Sequence, residues 1–319
     1  VVDNFTSEQF AKFEFPRIVK EDWPTVYKIK YAMADLLYFQ KKWAECGPAF
    51  DAVVVENPTG AEAAEAAFAS VLCYQNIYEE KHKGGAARKG AGMMPGDKTK
   101  KDAKKDEAAK YKPKELEEQQ KGMLAAFNRY VCYIKPAEND KEGKNQMVEV
   151  KYARARVYFE TQRWEEASIG FRDVAMNHPE HEAGIFAAQL YLESLNVLGT
   201  HMEKPTCFKS MADDVPKFIQ LYCTGDRLKA NEDQCKSMNS IQVDILRLAA
   251  EGLVKEADKG GPNALATYQQ AAEMYMDIWK RWGEEPIKNK KQPQAERLDE
   301  VVYNGCKAYQ AAHLVAKAI

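Results

Sequence analysis

From residue 30 onward, apolar and small side chains recur at three- and four-residue steps, and the same pattern is written twice. KYAMADLLYFQKKWAECGPAFDAVVVENP (30–58) and KYARARVYFETQRWEEASIGFRDVAMNHP (151–179) align at an offset of 121, with nine of 29 positions identical. The identities are Lys30/Lys151, Tyr31/Tyr152, Ala32/Ala153, Ala34/Ala155, Trp43/Trp164, Glu45/Glu166, Phe50/Phe171, Val53/Val174 and Pro58/Pro179. Steps of three and four place these side chains on one helical face. A polar break after Gln40 and after Thr161, then Trp43 or Trp164 and a second periodic stretch, predicts helix, tight turn, helix in each copy. Pro58 and Pro179 end the second helix because proline has no backbone donor.

The duplication extends further. EAAEAAFASVLCYQNIYEE (62–80) and HEAGIFAAQLYLESLNVLG (181–199) each predict an apolar helix after the proline. The helix that follows aligns at an offset of 88, as GMLAAFNRYVCY (122–133) against SMADDVPKFIQLYC (210–223), with Met123/Met211 and Tyr130/Phe218 paired. The 33 residues by which the two offsets differ match a tract of 32 residues, 81–112, present in the first copy alone. A two-hairpin unit has been duplicated, with an insertion inside the first copy. Residues 240–260 and 263–286 predict another pair, more loosely, with Tyr268, Ala271 and Tyr275 in the places of Trp164, Ala167 and Phe171 and with Pro286 a few residues late, and 296–319 a last helix. Asp22, Trp23 and Pro24 form a helix start, with Asp as cap and Pro in the first turn. The Phe-rich stretch before it, Phe5 to Phe15, is a candidate lid or partner surface.

The order Ala34, Leu37, Trp43, Cys46, Phe50, Pro58, repeated as Ala155, Tyr158, Trp164, Ala167, Phe171, Pro179, resembles the tetratricopeptide repeat. The resemblance implies an all-α, right-handed superhelical solenoid of about five helix pairs, each buried against its neighbours. It implies this organisation: an N-terminal arm (1–20), first helices (21–80), a basic insertion (81–112), central repeats (113–235) and degenerate C-terminal repeats (236–319). It also implies that partner proteins bind along the concave groove lined by first helices. Candidate groove residues are Lys30, Tyr31, Lys151, Tyr152 and Arg156.

Composition adds limits. No apolar run approaches the ~18 residues of a membrane span, so a membrane-spanning chain is not expected. The net charge of −2 hides a division: residues 81–112 carry +7 and the remainder −9. With five glycines and few large apolar side chains, this tract predicts a flexible basic loop. It is read either as a solvated spacer or as an arm for an anionic partner, whether lipid headgroups, an acidic protein or nucleic acid. Sequence-specific nucleic-acid recognition is not expected, because Tyr111 is the single aromatic ring of Phe, Tyr or Trp type among the lysines and Lys outnumbers Arg ten to one.

Catalytic chemistry is sparse. The seven cysteines lack the short spacing of a zinc site, His178 and His181 read as turn and cap residues, and GGAARKGAG departs from a phosphate loop. An enzyme, a bound metal or a cofactor is not expected. Cys223 and Cys235 bracket a polar loop and are a candidate disulfide, which points to export, whereas Cys46 reads as a small core residue. The opening Val1-Val2-Asp3 reads as a mature or trimmed product. The expected function is a protein–protein interaction scaffold in a larger assembly, of the bacterial envelope, periplasm or motility type. The alternatives are a cytosolic co-chaperone or adaptor with a basic clamp for an extended peptide, and the repeat domain of a larger enzyme.

Overall fold

A computed structural model of the chain describes Gln9 and residues 25–81, 108–293 and 295–318. The fold is all-helical, with no strand among the described residues. The expected arm, the Asp22 cap and most of the basic insertion lie outside the described residues. The described residues form two compact units, the first ending at Val174 and the second running from Ala175.

In the first unit, α1 (Val26–Phe39) begins at Thr25, whose hydroxyl accepts a hydrogen bond from Lys28 N at 3.2 Å. That bond satisfies one of the free N–H groups of the first turn. The hairpin continues with α2 (Trp43–Glu56), and α3 (Ala63–Lys81) packs on α2. After a 3₁₀ turn (Ala108–Tyr111) come α4 (Glu118–Tyr133), α5 (Lys141–Glu160) and α6 (Trp164–Asn177). The Glu117 side chain accepts from the backbone three residues on, and Gln120 answers to the Glu117 N–H, a capping box that sets where α4 starts. Ala34, Cys46, Phe50, Val53, Val54, Ala66, Phe127 and Tyr130 belong to one core of this unit, each at most 1% exposed.

The helix limits repeat as the sequence does. Both ends of α6 lie 121 residues after those of α2, and α1 and α5 end 121 residues apart. The aromatic lock recurs as well. Tyr38 stands edge-on to Trp43 at 5.3 Å and Phe159 to Trp164 at 5.0 Å, while Tyr31 meets Phe50 at 5.9 Å and Tyr152 meets Phe171 at 5.7 Å. Ala34 and Ala155 are fully buried because a larger side chain there would hold the second helix away. An added Cβ on Gly170 would lie 2.8 Å from Ala155 Cβ, a measure of how closely α5 and α6 approach.

Both hairpins turn through a residue with left-handed backbone, Lys41 at φ 57° and Gln162 at φ 61°. The ladder is the same in each: Lys41 N donates to Tyr38 O and Lys42 N to Leu37 O, and Gln162 N donates to Phe159 O and Arg163 N to Tyr158 O. This is the Schellman closure, which glycine fits without Cβ strain. Lys41→Gly should therefore raise the urea midpoint, by about 0.5–1 kcal/mol in stability. Gln162→Gly should gain less, because the Gln162 amide donates to Lys110 O at 2.6 Å. A fall in the midpoint of the Lys41 variant would contradict this account of the turn.

The second unit contains α7 (Ala183–His201), α8 (Thr206–Tyr222), the short α9 (Gly225–Ala230), α10 (Glu232–Ala257) and α11 (Ala264–Trp279). A π-turn (Lys280–Glu284), α12 (Glu285–Lys288), α13 (Leu298–Ala311) and α14 (Val315–Ala318) follow. The substantial contacts run between near neighbours along the chain, α7 on α8, α8 on α10, α10 on α11 and α11 on α13. Ala271 and Tyr275 are buried as the pattern predicts, but Pro286 does not end the helix. Instead the chain widens into the π-turn, Glu285 N donates to Lys280 O, and a last helical turn follows. Trp282 is buried there, its indole N–H donating to Asn239 Oδ1 at 3.1 Å. His313, at φ 61°, repeats the hairpin ladder between α13 and α14, which places Tyr303 in the position of Tyr31 and Tyr152; lacking their cover, it is 63% exposed.

Candidate functional site

Each first-helix lysine ties α1 or α5 to its own second helix. Lys30 Nζ pairs with Glu56 on α2, and Lys151 Nζ with Asp173 on α6 at 2.9 Å. The two acids are not equivalent, since Asp173 corresponds to Ala52, so the same lysine is neutralised from neighbouring turns. Tyr31 and Tyr152 lean on Phe50 and Phe171 inside the hairpins. Arg156 donates to Glu160 Oε1 at 2.9 Å and also bonds Tyr152; burial works against its charge, but Glu160 outweighs it and holds the guanidinium above its usual range. The structure thus brings Lys30 and Tyr31 together on α1, and Lys151, Tyr152 and Arg156 together on α5, with no substantial contact between the two helices.

The cysteines form two bridges. Cys223 and Cys235 are joined at an S–S distance of 2.08 Å, closing the loop that carries α9. Cys46 is joined to Cys73 at 2.09 Å, linking α2 to α3, so it is more than a small core residue. Internal comparison carries a signal for this second bridge. Cys46 corresponds to Ala167 and Cys73 to Ser194, so both thiols vanish together in the second copy. His181 Nδ1 accepts from Ala183 N at 3.0 Å, an N-terminal support for α7. Among the described residues, no group of three or more His, Cys, Asp or Glu is placed to hold a metal ion, and no helix is long and apolar enough to cross a membrane.

The two repeat tryptophans clasp both ends of the insertion. Trp43 Nε1 donates to Glu80 Oε1 at 3.0 Å, just before the tract, and Trp164 Nε1 donates to Tyr111 O at 2.8 Å, at its end. The Tyr111 ring packs on Trp164, and Lys114 N donates to Thr161 O at 2.9 Å. Residues 108–114 therefore sit on the α5–α6 turn, and the seated part of the tract begins four residues before the boundary drawn at 112.

In the first unit a groove of about 480 Å³ lies where α3, the end of α4 and the start of α5 meet. Phe68, Tyr130, Ile134 and Pro136 give it an apolar floor, and Glu65, Asp140 and Glu142 stand on its rim beside one cation, Lys135. Among the described residues, no Lys or Arg forms an ion pair with these three carboxylates. Their field reaches the neighbouring phenols. Burial, with Asp140 and Glu149 adding to it, pushes the Tyr130 hydroxyl up to about 12, and burial followed by the Glu65 carboxylate raises that of Tyr31. Asp140 also caps α5, accepting from Gly143 N at 2.8 Å; an added Cβ on Gly143 would come within 2.3 Å of that carboxylate, so a side chain there would push the cap aside. In the second unit a hollow of about 670 Å³ lies beside α8 and α9. Its Arg227 is already engaged, donating to Leu221 O at 2.8 Å and pairing with Glu180.

No protein-family model matches the chain, and a search of curated proteins finds no match.

Proposed function

We propose that this chain is a tetratricopeptide-like scaffold whose helix pairs stack as a right-handed solenoid and bind other proteins within a larger assembly. The observation that carries this reading is the repeated hairpin: Ala34/Ala155, Phe50/Phe171 and the left-handed Lys41/Gln162 turn solve one packing problem twice at one offset. A stack of such pairs buries a face only against its neighbours and leaves the first helices to a partner. The two disulfides favour an oxidising location, in keeping with a periplasmic or envelope assembly, motility complexes included. A co-chaperone clamp for a terminal carboxylate is less favoured, because Lys30, Lys151 and Arg156 already face intrachain acids. The basic tract remains a candidate arm for an anionic partner.

The test is photo-crosslinking in the native assembly. A benzoylphenylalanine placed at Asp35 or Asn145 on first helices should give discrete protein adducts, and the same probe at Ala52 on a second helix should give few. Equal labelling at all three sites, or none at the first-helix sites, would overturn the groove as the binding face.

A further inference from the structure

The groove at the α3–α4–α5 junction differs in kind from the repeat core. The aromatic core positions of the two copies match, whereas two positions that line the groove do not: Glu65 corresponds to Phe186 and Phe68 to Gln189. At Glu65 helix packing does not demand a carboxylate, since the second copy holds Phe186 there on an equivalent helix. Three carboxylates with no Lys or Arg ion pair among the described residues stand around a partly covered aromatic floor, and an incoming cation relieves their mutual repulsion. The floor is apolar enough to take one large side chain: Phe68 is half-buried and packs at 6.0 Å from the buried Tyr130.

We propose that this groove docks a cationic peptide segment, one that seats an aromatic or branched aliphatic side chain on the half-buried Phe68, which Tyr130 backs from the core, while flanking Lys or Arg residues face Glu65, Asp140 and Glu142. Shape selects the apolar anchor, and charge selects the flanks. The inference rests on the scaffold reading and names the chemistry of one partner. A clamp for acidic peptide termini is the opposite arrangement, and charge alone separates the two.

The experiment probes the intact, disulfide-bonded chain against immobilised ten-residue peptides that vary net charge and the presence of one Phe or Leu. Retention should require both a positive charge and the apolar anchor, and should weaken as salt rises from about 0.05 M to about 0.5 M. The double variant Glu65→Gln, Glu142→Gln leaves the Asp140 cap intact, and circular dichroism checks that it folds. It should lose about ten-fold in affinity, while a control on the second unit, Asp277→Asn with Glu284→Gln, should lose nothing. A preference for acidic peptides, retention indifferent to charge, absence of retention, or an unchanged double variant would each overturn the proposal. In every one of those cases, surviving first-helix crosslinks would keep the scaffold reading, and their loss would remove it separately.

Discussion

Phe171→Ala should destabilise the chain by about 3–5 kcal/mol, the cost of removing a large buried aromatic and leaving a cavity behind. Phe171 has no exposure and supports two rings of α5 at once, Tyr152 at 5.7 Å and Phe159 at 5.9 Å. Phe50→Ala should cost a similar amount, because Phe50 meets Tyr31 and Tyr38 at 5.9 and 6.5 Å in the matching hairpin. Urea titration followed by circular dichroism measures both. Protease nicking near α5 and α6 in the first variant, and near α1 and α2 in the second, should show that each loosens its own hairpin before the rest. A loss under about 1 kcal/mol would mean that the cavity collapses freely, at odds with the close-packed surroundings.

Replacing the Cys46–Cys73 bridge should cost about 3–4 kcal/mol, since the crosslink spans 27 residues and restricts the unfolded chain. The informative variant is Cys46→Ala with Cys73→Ser, because it installs the residues that the second copy holds at Ala167 and Ser194, both fully buried. Packing is thus nearly preserved while the covalent link is lost. The corresponding Cys223→Ser, Cys235→Ser variant should cost about 3 kcal/mol, its closed loop being shorter at a separation of 12. Urea unfolding without reductant reads both losses, and adding reductant to the parent chain should reproduce their sum. If the parent unfolds at the same urea concentration with and without reductant, neither bridge contributes.

Much of the helical layout was legible because periodicity and duplication agree. Trp43 and Trp164 open their helices at matching positions, and Phe50 and Phe171 are buried as their spacing implies. Pro286 was a weaker guide: proline forbids a donor, but a π-turn re-routes the ladder, and no local spelling announces one. The tandem lysines show a different limit. Lys30 and Lys151 are groove candidates in the sequence, and their pairing within each hairpin was not legible because the acids Glu56 and Asp173 sit at non-equivalent positions. The groove was hidden for the opposite reason. Comparing copies highlights what they share, and Glu65, Phe68 and Glu142 stand where they differ or where the helices start. The Cys46–Cys73 bridge lay in between, readable only by asking which residues disappear together.

The clasp of Trp43 on Glu80 and of Trp164 on Tyr111 makes the inserted tract a socket with two fixed lips. Both anchors lie beside hairpin turns that the repeats already hold in place. For a Gly/Ser replacement, each doubling of length would add only about 0.6 kcal/mol of closure entropy. The same position would accept a reporter domain or a second binding motif, displayed from the first unit without disturbing a helix.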